Sequence, residues 1–120
     1  MSGHILVVDD DADLRETLQM LLEEAGFSVT AAANGHAALE RLRRGAHPSL
    51  ILLDLMMPEM NGWQFLEHAR RDASLGSIPI VIMTAHKSPA LPPLPPWPPE
   101  EVLYKPFDAA KLLATIARHV

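Results

Sequence analysis

Three short runs in this chain, HILVV, LILLD and IPIVIMT, are apolar along almost their whole length, where a half-exposed strand would alternate apolar with polar residues. Strands that read this way are covered on both faces, as in a parallel sheet with helices packed on either side. FSVTAA and VLY are weaker strand candidates and bring the number to five. Between the strands the period becomes helical. Leu14, Leu18, Leu21, Leu22 and Ala25 recur at helical spacing, with Asp11 or Asp13 at the amino end and Gly26 as the stop. GHAALERLRR predicts a second, shorter helix closed by Gly45. A third begins at about Gly62, with Asn61 and Gln64 as a cap pair and Met60 and Phe65 at staple spacing. The last helix follows Asp108, where Phe107 and Leu112 form another staple pair and Leu113, Ile116 and Val120 continue the stripe. Strands and helices alternating in this way define an α/β fold with a doubly wound parallel sheet and right-handed crossovers.

The connection between the last two strands interrupts the pattern. Prolines occupy positions 89, 92, 93, 95, 96, 98 and 99. Each lacks a backbone donor and clashes with the preceding turn, at about 3 kcal/mol per helix-interior position. No helix of useful length is expected between Lys87 and Glu100. The expectation is an extended, partly polyproline II segment in place of the fourth helix, which is missing or severely shortened.

At 120 residues the chain is expected to form one domain, 1–120, and such a domain removes roughly 65% of its unfolded surface on folding. It has no cysteine, which excludes a disulfide framework and a thiol nucleophile and suits a reducing compartment. The N-terminal apolar run is cut short by aspartates, so neither a signal peptide nor a membrane span is expected, and the protein reads as cytoplasmic. A net charge of -5, with the basic residues scattered, argues against direct nucleic-acid binding.

Ligands of doubly wound sheets bind beyond the carboxyl ends of the strands. At those ends this sequence has Asp9 and Asp10, then Asp54, then Thr84, then Lys105. Singly, each has an ordinary reading: a helix cap, a turn residue, a strand-end hydroxyl, a surface lysine. Together they gather three carboxylates, a hydroxyl and an ammonium at one edge. Three neighbouring carboxylates repel one another, and one is driven to bind a proton unless a divalent cation is present. Oxygen-only ligands favour a hard ion such as Mg²⁺. A carboxylate can also attack phosphorus, and Lys105 and Thr84 are suited to stabilise the charge that the phosphoryl group brings.

These residues resemble the receiver domain of two-component response regulators. ILVVDDD is similar to that family's first strand and acidic pair, at Asp9 and Asp10. LLDLMMPEMNGW resembles the segment carrying the phosphoacceptor, at Asp54, with Pro58 and Gly62 in the turn that follows. VIMTA matches the signalling threonine at Thr84, and YKPF matches the lysine and proline at Lys105 and Pro106. The resemblance implies a flavodoxin-like strand order 2-1-3-4-5. It also implies transfer of a phosphoryl group to Asp54 from a sensor histidine kinase or a histidine phosphotransfer protein. Mg²⁺ would be held by Asp10, Asp54 and the Met56 carbonyl, with Asp9 acting mainly through water. Self-phosphorylation from a phosphodonor and self-dephosphorylation follow, without turnover of an independent substrate, and the signal would pass to a downstream protein or a fused output domain.

Two departures motivate an alternative, a receiver-fold protein-protein interaction module that acts independently of phosphorylation. The family often has Tyr or Phe three residues before the lysine, and this chain has Val102 there. The proline tract is the other. PPLPPWPP also fits a ligand for an aromatic groove.

Overall fold

The computed structural model describes residues 3–45, 47–57, 59–84 and 99–120. Five strands, β1 (His4–Val8), β2 (Ser28–Ala32), β3 (Leu50–Asp54), β4 (Ile80–Thr84) and β5 (Glu101–Tyr104), form one sheet in the order β2-β1-β3-β4-β5, with every pair parallel. The helices are α1 (Ala12–Glu24), α2 (Gly35–Arg43), α3 (Gly62–Arg71) and α4 (Ala109–Ala117). Every residue of β3 and β4 is buried, which is why LILLD and IVIMT show no polar alternation.

Alternation along the strands divides the core in two. Leu6, Val8, Ile51, Leu53, Ile80 and Ile82 face α2 and α3, packing with Leu39, Leu42, Phe65 and Leu66. Ile5, Val7, Leu52, Val81, Met83 and Leu103 face the other way, against Leu18 and Leu22 of α1 and Leu112 and Ile116 of α4. Each fully buried side chain of this size contributes about 1.5–3 kcal/mol, so the two layers together fix the sheet between its helices.

Local signals set the helix ends. Asp11 caps α1 by accepting from Asp13 N and Leu14 N, and Asn34 caps α2 by accepting from Ala37 N at 2.8 Å. α3 has a complete capping box: Gln64 N donates to Asn61 Oδ1 and Asn61 N donates to Gln64 Oε1, both at 2.9 Å. Met60 and Phe65 lie in one core layer, Phe107 and Leu112 in the other.

The expectation of a proline-rich segment in place of the fourth helix is corrected. The fourth helix in chain order, α4, is neither missing nor shortened: Ala109–Ala117 is a full nine-residue helix. Asp108 caps it by accepting from Lys111 N at 2.7 Å, Leu112 and Ile116 bury its apolar stripe, and the last proline, Pro106, precedes its cap. The tract to which that expectation is tied, Lys87 to Glu100, lies outside the described residues as far as 98.

β5 is held at its start by two successive glutamates that point to opposite faces. Glu100 accepts from Arg70 Nη2 at 2.9 and 2.8 Å and from Ile80 N at 2.6 Å. The same guanidinium donates through Nη1 to the carbonyls of Gly76 and Ile78, so one side chain joins α3, the loop after it and β5. Glu101 turns towards α4, where it accepts from Arg118 Nε at 3.2 Å and pairs with His119 Nε2 at 2.9 Å. The Arg70 side chain is only 8% exposed, so its removal leaves the Gly76 and Ile78 carbonyls without this donor and Glu100 with Ile80 N alone. Arg70→Met is expected to cost about 2–3 kcal/mol, read as a lower urea midpoint, whereas loss of the exposed Arg71–Glu67 pair should cost under about 0.5 kcal/mol.

Candidate functional site

The parallel register brings the carboxyl ends of β1, β3, β4 and β5 to one edge. Asp9 follows β1 and is fully buried; Asp54 ends β3 and is 6% exposed; Asp10 reaches solvent. One carboxylate oxygen from each of Asp9, Asp10 and Asp54 lies within 4.8 Å of the others. Lys105, just past β5, brings its Nζ to 3.5 Å from Asp54 Oδ1 and 3.7 Å from Asp9 Oδ2. Thr84 ends β4, is fully buried, and accepts at its carbonyl from Lys105 N at 2.8 Å. Met56 is exposed, and its amide donates to Asp54 Oδ1 at 3.4 Å. Pro58 lies outside the described residues.

Close backbone packing holds Asp54 in place. Gly62 N donates to Leu55 O at 2.8 Å, drawing the start of α3 against the end of β3. A Cβ on Gly62 would stand 2.9 Å from Leu55 Cα and 3.1 Å from Asp54 O, both backbone atoms that cannot yield cheaply. The turn before it passes through Glu59 at φ 67, a left-handed conformation uncommon for a residue with a side chain.

The electrostatics of the edge follow from burial. Desolvation, then the neighbouring Asp9 charge, raises the Asp54 carboxyl from 3.8 to about 6, against the opposing pull of Lys105 and the Met56 amide. Asp9 is raised as well, again chiefly by desolvation, although Asp11 N donates to its Oδ1 at 2.9 Å. Asp9 Oδ2 is buried with no hydrogen-bond partner. A buried acceptor left without a donor, inside a cluster of oxygen ligands, fits a hard divalent cation. The residues present therefore suit such an ion.

Two features were not legible as site residues. Arg15 of α1 donates from Nη1 to the Asp9 carbonyl at 2.8 Å. Its signal in sequence is a cation at the amino end of a helix, where the macrodipole disfavours positive charge. The Asp11 amide on Asp9 gives no signal in side-chain type. Val102, partnered with Ile82 across the sheet, is half-buried against the α2/α3 layer, while Tyr104 sits opposite Thr84 and is 38% exposed.

Residues 5–117 match the family described as the response regulator receiver domain. The chain is 43% identical over 82 residues to response regulator Rre1 of Synechocystis, covering 68% of this chain and 35% of that protein. With the phosphate regulon transcriptional regulatory protein PhoB of Escherichia coli it shares 35% identity over 117 residues, 97% of this chain and 51% of that protein. The chain thus spans about a third to a half of these relatives. Among solved structures it resembles the Vibrio cholerae chemotaxis protein CheY4 (TM-score 0.87, 29% identity, 100% of both chains). It also resembles TrrA of Thermotoga maritima in complex with Mg²⁺ and BeF (TM-score 0.85, 29% identity, 98% of both chains). The chain belongs to the response regulator receiver family and is a phosphoacceptor receiver domain. No helix among the described residues is long and apolar enough to cross a membrane.

A carboxyl whose folded value is raised binds protons in the native state that the unfolded chain has already released. Without divalent cations, the contribution of Asp54 to stability is therefore lost as pH rises from 3.8 through about 6. Asp54→Asn is expected to flatten that slope and to raise stability in EDTA at pH 7.5 by about 1–3 kcal/mol, measured by urea unfolding across this pH range.

Proposed function

We propose that Asp54 is the phosphoacceptor of a two-component phosphorelay, taking its phosphoryl group from the phosphohistidine of a sensor histidine kinase or a histidine phosphotransfer protein. The observation that carries this reading is the Asp54 carboxylate at the end of β3, nearly buried, beside two further carboxylates and 3.5 Å from the Lys105 ammonium. A carboxylate oxygen of Asp54 attacks phosphorus, a P–O bond forms, and the P–N bond breaks with its electron pair leaving on the imidazole. Lys105 stabilises the charge that gathers on the phosphoryl oxygens, and Thr84 donates a hydrogen bond to one of them. Hydrolysis of the acyl phosphate by water returns the Asp54 carboxylate and inorganic phosphate, so the domain ends its own signal without turning over a separate substrate.

Asp9, Asp10 and Asp54, with the Met56 carbonyl, are the residues proposed to hold Mg²⁺. When bound, the ion offsets the repulsion among the carboxylates and the incoming phosphoryl oxygens. The Mg²⁺ complex of TrrA supports this choice of ion. The whole chain, 1–120, is assigned as one receiver domain. Its reading as cytoplasmic, its switching of a downstream protein or a fused output domain, and its partners belong to the same proposal.

Acetyl phosphate with Mg²⁺ is expected to add one phosphoryl group, seen as a single mass increment. Asp54→Asn should abolish it, and so should EDTA; labelling of the Asn variant at full yield would sink the assignment. Val102, which brings no ring to β5, favours a second reading as an interaction module independent of phosphorylation. Equal partner affinity for the free and phosphorylated forms would select that module.

A further inference from the structure

We infer that Arg15 is a positioning residue for the acidic pair, acting on the peptide that joins Asp9 to Asp10; this rests on the metal-site reading above. Arg15 lies in the first turns of α1, and its own amide donates to Asp11 O at 2.9 Å. From there the half-buried side chain reaches back, and Nη1 donates to Asp9 O at 2.8 Å. That carbonyl belongs to the peptide plane whose other end is the Asp10 nitrogen. Because the plane is rigid, a bond to its oxygen limits rotation on both sides, at the Cα atoms of Asp9 and Asp10. The two carboxylates that converge with Asp54 thus hang from one restrained peptide.

The other anchors of Asp9 do not do this work. Asp9 N donates to Ala32 O at 3.2 Å, which fixes the preceding peptide as part of the sheet, and Asp11 N holds Asp9 Oδ1 at 2.9 Å. Neither touches the peptide between the two acids. Without Arg15 that peptide can swing as the chain leaves β1 for α1, carrying the Asp10 carboxylate out of convergence with Asp9 and Asp54.

Charge alone predicts the opposite sign. Arg15 is a cation near Asp9, Asp10, Asp11 and Asp13, so removing it should strengthen attraction for a divalent ion if its role is only electrostatic. A positioning role predicts weaker binding. The direction of the change therefore separates the two.

The test is Mn²⁺ binding to the full chain at pH 7.5, with free Mn²⁺ counted by electron paramagnetic resonance and stability measured separately by urea unfolding in EDTA. Arg15→Met, a good helix former, is expected to raise the Mn²⁺ Kd roughly 10-fold, the scale found when a group orienting a metal ligand is lost. Arg15→Lys, which keeps a donor and a charge, should recover binding to within about threefold of wild type. Unchanged or tighter binding by Arg15→Met, with normal binding by the wild type, overturns this inference alone. A wild-type chain that binds no Mn²⁺ overturns the metal-site reading and the inference with it.

Discussion

The structure depends on holding Asp9 and Asp54 close together at a dry sheet edge where neither is comfortable as an anion. Desolvation and mutual repulsion both oppose their ionisation, and Lys105 answers only part of that opposition at 3.5 and 3.7 Å. Such a cluster persists only if the backbone beneath it cannot relax. The buried strands β1, β3 and β4 supply that rigidity, since separating the carboxylates would mean breaking parallel ladders flanked by two close-packed layers. The unfavourable arrangement is thus a consequence of the fold, and it favours a cation that offsets the carboxylate charge.

Much of the fold was legible because its signals are local. Continuous apolar runs mark strands covered on both faces, and Asp11, Asn34, Asn61 and Asp108 stand where helices begin. The site was legible for another reason: strand topology converts three distant stretches of sequence into neighbours, so the Asp9–Asp10 pair, Asp54 and Lys105 fall together at one sheet edge. The role of each still comes from chemistry and family membership.

What escaped the sequence was long-range and directed at backbone. Arg15 meets a carbonyl six positions back, and Arg70 meets the carbonyls of Gly76 and Ile78. A carbonyl carries no residue identity, so no pairing pattern announces such contacts. The expectation of a missing fourth helix had a different origin: it counted a helix in the connection from β4 to β5, whereas the fourth helix in chain order is Ala109–Ala117, whose cap at Asp108 and apolar stripe are themselves legible beyond the last proline.

The adjacent glutamates at the start of β5 bear on how such a domain tolerates change. Glu100 is bound from α3 and Glu101 from α4, so the strand is gripped from above and below the sheet by partners that lie outside the connection leading into it. From that grip the ladder to β4 carries the register forward to Lys105. The position of the Lys105 ammonium is therefore set by contacts that involve the route from β4 to β5 only at Glu100. Changes in that route that keep Glu100 leave the grip, the ladder and the ammonium in place.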